Sequence, residues 1–157
     1  MDYSRIIGLD VGDKTIGVAV SDPLMISAQG VTTIERIGAR KDCDKIIEYV
    51  RQYEAKTVVC GLPLMLDGTD SPQTEKVREF AKLLGNKMGS SGLKVKIEFC
   101  DERFTTKMAE AVMMETGMKR KERKEFVDKQ AAVIILQSYM DKLRFAAQRA
   151  EEKGASV

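Results

Sequence analysis

Residues Arg5–Asp22 read RIIGLDVGDKTIGVAVSD, and this stretch decides the fold. Two short apolar runs, Ile6–Val11 and Thr15–Val20, are parted by Gly12-Asp13-Lys14. β-branched runs broken by a Gly/Asp turn predict a β-hairpin. Alternation with a period of two puts Ile7, Leu9 and Val11 on one face of the first strand, and Ile6, Gly8 and Asp10 on the other. Burying an unpaired charge is costly, so Asp10 is expected to be hydrogen-bonded, protonated or bound to a cation. A capped turn with a satisfied aspartate accounts for the stretch as well, if it is taken alone. Gly8, Gly12 and Gly17 leave room for another backbone or a ligand to come close.

Outward from the hairpin, Gly30–Glu35 reads as a third short strand, antiparallel to its neighbour. Ile46, Ile47 and Val50 at helical spacing predict an amphipathic helix over Lys41–Tyr53. Lys56–Cys60 is a short continuous apolar run, as expected of a buried parallel strand. It ends in Gly61-Leu62-Pro63 and the loop Leu64–Asp70. Ser71-Pro72 starts a helix to about Met88, with a hydroxyl N-cap and a proline in the first turn. Leu93–Cys100 alternates as a half-exposed strand and ends in Asp101-Glu102-Arg103. Thr105 or Thr106 then caps a helix over Lys107–Thr116. Met118–Lys124 is basic and reads as a mobile stretch, either a solvated loop or a helix start, and a last helix runs from Phe126 to about Arg149. The order is three strands, helix, strand, helix, strand, helix, helix, which predicts an α/β fold with a mixed sheet flanked by helices. Residues 1–150 form one domain in this reading, and 151–157 a frayed tail.

Composition narrows the chemistry. The 157 residues are 43% hydrophobic and 32% charged, which fits a soluble globular domain without a membrane span. The first residues carry no apolar core of a signal peptide. Three widely spaced cysteines, Cys43, Cys60 and Cys100, give no zinc-ligand spacing and suit a reducing cytoplasm. The chain contains no histidine. That removes Ser-His-Asp and Cys-His catalysis and any imidazole metal site. Carboxylates, lysines, hydroxyls or a bound metal must carry any reaction.

Ligands of such sheets lie beyond the carboxyl ends of the strands. Asp10, Gly61-Leu62-Pro63 and Asp101-Glu102 all fall at those ends. Asp128 joins them from the last helix, where 128, 131, 132, 135 and 139 share one face. Ala131 and Ala132 let that face approach the sheet closely; alternatively Asp128 only complements the helix dipole. Asp10, one of Asp101 and Glu102, and Asp128 would crowd three negative charges into one cleft, which demands protonation or a counter-charge. The simplest counter-charge is Mg²⁺ or Mn²⁺, which take oxygen ligands. Two such ions about 4 Å apart suit in-line phosphodiester cleavage and need no histidine. Strand parity leaves the middle acid open, because Asp101 follows Val95, Ile97 and Phe99 while Glu102 follows Glu98 and Cys100. Arg103 is placed to hold either acid or a phosphate. Lys119, Arg120, Lys121 and Arg123 read either as a solvated charge run or as a grip on a phosphate backbone beside Asp128. Lys14 at the hairpin tip is a further candidate phosphate contact.

The blocks GLDVGDKTIGVAVSD, VVCGLPLMLDGT, DERFTT and DKQAAVIILQSYM, in this order and spacing, resemble the YqgF/RuvX family from about Ile6 to Leu143. The resemblance implies a ribonuclease H-like fold with a mixed five-stranded sheet. It implies a metal-dependent nuclease that processes the 5′ end of the 16S ribosomal RNA precursor, or a resolvase of four-way DNA (Holliday) junctions. Its acids map to Asp10, Glu102 and Asp128, with Asp101 as the alternative in the middle. The implied partners are nucleic acid and, for processing, the assembling small ribosomal subunit. The chain would act as a monomer or homodimer; paired junction cuts require a symmetric dimer. Two other classes compete. Hairpins of this kind also open the sugar-kinase superfold, but those enzymes enclose ATP between two such domains, and one is present here. A binding module without catalysis would keep the fold but have no use for the full acid set.

Overall fold

The computed structural model describes residues 4–102 and 120–155, with the backbone alone for 120–129 and 154–155. Five strands, β1 (Ile6–Val11), β2 (Thr15–Ser21), β3 (Ala28–Glu35), β4 (Thr57–Leu62) and β5 (Lys96–Asp101), form one sheet. Among the described residues, three helices flank it: α1 (Ala39–Gln52), α2 (Pro72–Ser90) and α3 (Arg120–Ala155). The strand order is β3-β2-β1-β4-β5, antiparallel through β1, β2 and β3 and parallel through β1, β4 and β5. The hairpin and the mixed sheet expected from sequence are therefore present.

The two faces of β1 separate two cores. Ile7, Leu9 and Val11 join Ile16, Val18, Val20, Val58 and Cys60 beneath α1 and α2. Ile6 joins Ala19, Val59 and Cys100 beneath Ala132, Ile135, Leu136 and Met140 of α3. This second face carries small residues at its centre. A Cβ on Gly8 would stand 2.7 Å from the Leu136 Cβ and 3.2 Å from the Ala132 carbonyl oxygen, so α3 lies directly on the β1 backbone. Real Cβ atoms do not approach so closely, and glycine is what permits the packing.

Local chemistry fixes the start of α2 and the seat of α3. Ser71 caps α2: its Oγ accepts from Thr74 N at 3.2 Å, and Thr74 Oγ1 accepts from Ser71 N at 3.0 Å, with Pro72 in the first turn. α3 is anchored to the β2–β3 loop, where Gln137 Oε1 accepts from Ala28 N at 2.9 Å.

Several boundaries differ from the sequence reading. β5 begins at Lys96 rather than Leu93, because its ladder with β4 starts at the Thr57–Lys96 pair. α3 starts at Arg120 rather than Phe126 and continues to Ala155. Of the two readings of the basic run, solvated loop or helix start, residues 120–124 take the helical one; Arg, Lys and Glu are good helix formers. The helix expected over Lys107–Thr116 lies outside the described residues.

Candidate active site at the carboxyl ends of β1 and β5

β1 brings Asp10 to its carboxyl end, where it pairs with Gly17 of β2. In the parallel half of the sheet, Gly61 pairs with Cys100 and Leu62 with Asp101. The ladder then runs one step past β5: Glu102 N donates to the Leu62 carbonyl at 3.1 Å. That carbonyl also accepts Leu64 N at 2.9 Å, so the Gly-Leu-Pro turn and the acidic strand end share one acceptor.

Burial decides the parity that sequence left open. Cys100 is buried in the core under α3, on the same side as Gly8, and Asp10 follows Gly8. Glu102 follows Cys100 and shares that side, whereas Asp101 turns to the other. The Glu102 carboxylate rests over Gly61, where a Cβ would stand 2.8 Å from Glu102 Oε2 and 2.5 Å from Ile135 Cδ1. Gly61 is thus the floor on which Glu102 lies and against which α3 packs. Nothing in the Gly-Leu-Pro motif itself announces this close contact.

The surroundings penalise charge at Glu102. Burial first, then the negative charges of Asp10 and Asp101, push its carboxyl up to about 8. Such a shift in a partly enclosed carboxylate pair marks a place where a proton or a cation is needed. The available donors are oxygens. The neighbouring thiols of Cys60 and Cys100 are free and buried, and burial raises both, Cys60 to about 12, so neither supplies a thiolate.

Among the described residues, no group of three or more His, Cys, Asp or Glu side chains is gathered closely enough to hold a metal ion. Asp128 lies on the described backbone of α3, one turn before Ala132, whose carbonyl oxygen reaches Gly8; its side chain is outside the described residues. Lys14 is exposed at the hairpin tip just past Asp10. Arg120, Lys121 and Arg123 fall on the first turns of α3, again by backbone alone. Arg103 and Lys119 lie outside the described residues.

Helices on both faces of a sheet ordered 3-2-1-4-5, with acids at the ends of β1 and β5, make this an α/β protein of the ribonuclease H-like class. The chain belongs to the RuvX family, whose sequence model, described as Holliday junction resolvase, matches residues 4–142. A Clostridium novyi protein named "Putative pre-16S rRNA nuclease" is 46% identical over 139 residues, covering 88% of this chain and 99% of that protein. A Clostridium botulinum protein of the same name is 47% identical, covering 88% and 98%. Among solved structures, T. thermophilus RuvC in complex with Holliday junction substrate gives a TM-score of 0.54 at 14% identity, covering 90% of this chain and 96% of that one. The fowlpox virus Holliday junction resolvase gives 0.51 at 15% identity, covering 88% and 99%. These two likenesses are of fold. Among the described residues, no helix is long and apolar enough to cross a membrane.

Proposed function

We propose that this chain is a metal-dependent nuclease that hydrolyses phosphodiester bonds at the 5′ end of the 16S ribosomal RNA precursor in the cytoplasm. The observation that carries the reading is Glu102, laid over Gly61 on the Asp10 side of the sheet and held in its acid form by burial and by Asp10. The relatives named for this RNA supply the substrate class.

An oxygen-only donor set with crowded negative charge fits a hard divalent cation such as Mg²⁺ or Mn²⁺. Asp10, Glu102 and Asp128 would hold one or two such ions, with Asp101 on the opposite face as the lesser candidate. Bound there, they supply Lewis-acid charge and a water of lowered pKa for in-line displacement. The chain's own part is to keep the acids fixed. Glu102 would give up its proton to a bound cation's charge, and the Ile135 side chain crowds the same α-carbon of Gly61 on which the carboxylate rests. Lys14, Arg103, Lys119, Arg120, Lys121 and Arg123 are the proposed contacts to the phosphate backbone.

A second reading, resolution of four-way DNA junctions, is favoured by the family's description and by the shared fold with RuvC. The test is side-by-side cleavage of a precursor fragment spanning the mature 5′ end and of a four-way DNA junction, with Mg²⁺ or Mn²⁺, by wild type and Asp10→Asn. Cutting of the RNA alone, lost in Asp10→Asn, supports processing. Symmetric cutting of the junction alone supports the resolvase. No cutting of either, with or without small-subunit particles, contradicts both.

A further inference from the structure

Arg36 sits where the hairpin tip, the end of β3, α1 and α2 meet. Its backbone N donates to the Lys14 carbonyl at 2.9 Å, and its Nη1 donates to the Gly12 carbonyl at 2.9 Å. Both shoulders of the Asp13-Lys14 tip therefore hang on one residue. The turn is closed internally by Gly12 N donating to the Thr15 carbonyl at 2.9 Å.

Arg36 is itself held from two sides. Nε donates to Asp42 Oδ2 at 3.0 Å, and the other oxygen of Asp42 accepts Ile37 N at 3.0 Å. Asp42 is fully buried, while the Arg36 side chain stays 21% exposed. The guanidinium lies 5.1 Å from the centre of the Phe80 ring on α2. Only arginine's planar fork serves a carboxylate, a carbonyl and an aromatic face at once; a lysine ammonium is a point charge.

Buried ion pairs are poor stabilisers, because desolvation offsets their attraction and apolar replacements are often neutral. What such a pair does well is fix one geometry. Here the fixed object is the turn that begins two residues after Asp10 and presents Lys14. We propose that Arg36, anchored by Asp42, is a positioning residue: it locks the hairpin tip and so holds the end of β1 that presents Asp10. The consequence for metal binding rests on the proposed function; the locking of the tip does not.

The experiment compares wild type, Arg36→Lys and Val50→Ala, the last a core control from α1. Thermal midpoints, amide hydrogen exchange of residues 11–15 in metal-free protein, and Mn²⁺ affinity by calorimetry are measured on each. Arg36→Lys keeps the charge and loses the fork. It is expected to speed exchange at 11–15 and to weaken Mn²⁺ binding by about tenfold, the low end of the effect of residues that orient a metal ligand. Exchange in β4 and α2 stays as in wild type. Val50→Ala lowers the midpoint and leaves both other readouts unchanged. Asp42→Asn, which keeps an acceptor for Ile37 N, is the second variant should Arg36→Lys not fold, and is expected to act in the same direction. Wild-type exchange at 11–15 in the Arg36 and Asp42 variants overturns the proposal, as does a Val50→Ala control that reproduces their losses. Faster exchange in Arg36→Lys with a wild type that binds no Mn²⁺ would sink the metal site and leave the locked tip standing.

Discussion

The carboxylate of Glu102 lies on the bare α-carbon of Gly61, with 2.8 Å between Glu102 Oε2 and the place a Cβ would occupy. The bare glycine of β4 therefore makes room for an acid just past the end of β5. Gly61→Ala is expected to displace the Glu102 carboxylate at a cost near the lower end of overpacking, about 1 kcal/mol, because the atoms met, Ile135 Cδ1 and Glu102 Oε2, are the ends of flexible side chains. Mn²⁺ affinity should fall together with the thermal midpoint. Calorimetry and thermal unfolding of the same sample check this; a variant that binds Mn²⁺ like wild type would place Glu102 outside the site.

Glu102 also makes stability depend on pH. Its carboxyl titrates at about 8 in the folded, metal-free protein against an ordinary value of 4.5, so the folded state binds the proton more tightly. Its contribution is fully present below about pH 4.5 and is lost as pH rises toward 8. Over that window the metal-free thermal midpoint of wild type should fall relative to that of Glu102→Gln, which has no proton to lose. Mn²⁺ affinity should rise over the same window, since binding must displace that proton. Parallel midpoint curves for the two proteins would contradict the shift.

The seat of α3 gives a third expectation. Gly8→Ala places a methyl 2.7 Å from the Leu136 Cβ and 3.2 Å from the Ala132 carbonyl. Neither atom is the end of a flexible chain, so the helix must shift, and the midpoint should drop by several degrees. Adding Leu136→Ala should not restore it, because alanine keeps the very Cβ that is met. Recovery in the double variant would show that α3 packs differently on β1.

Neutralising Lys119, Arg120 and Lys121 together tests the basic run as a phosphate contact. If these residues hold phosphates, the slope of log K against log salt should become shallower by up to about 2, near 0.7 per lost single-strand contact. Binding titrations of a precursor fragment without divalent metal at several salt concentrations read this. An unchanged slope would make these residues an ordinary charge run without a phosphate to hold.

Much of this arrangement was legible in the sequence. The period-two pattern of Ile6–Val11 assigned Ile7, Leu9 and Val11 to one core and Asp10 to the other face, and the cores under α1 and α2 and under α3 divide that way. The choice between Asp101 and Glu102 was not legible. Apolar Ile97 and Phe99 suggest the buried stripe of β5, yet Phe99 is 37% exposed and Cys100 is buried at 3%. On an edge strand, the face that counts is set by what packs over it, and here that is α3. The locking of the tip was hidden for a similar reason. An arginine ending a strand and an aspartate in the first turn of a helix are ordinary surface residues until β3 and α1 bring them to 3.0 Å. Gly61 announced a turn, but not that an acid from the next strand would rest on it.

The central claim is that Glu102, rather than Asp101, joins Asp10 in holding the metal. Mn²⁺ titration of wild type, Asp10→Asn, Asp101→Asn and Glu102→Gln at pH 8 tests it most directly. Asp10→Asn and Glu102→Gln are expected to lose on the order of a hundredfold in affinity, as first ligands exceed the 10–100-fold effect of outer ones, while Asp101→Asn stays close to wild type. A large loss in Asp101→Asn beside an unaffected Glu102→Gln would contradict the account.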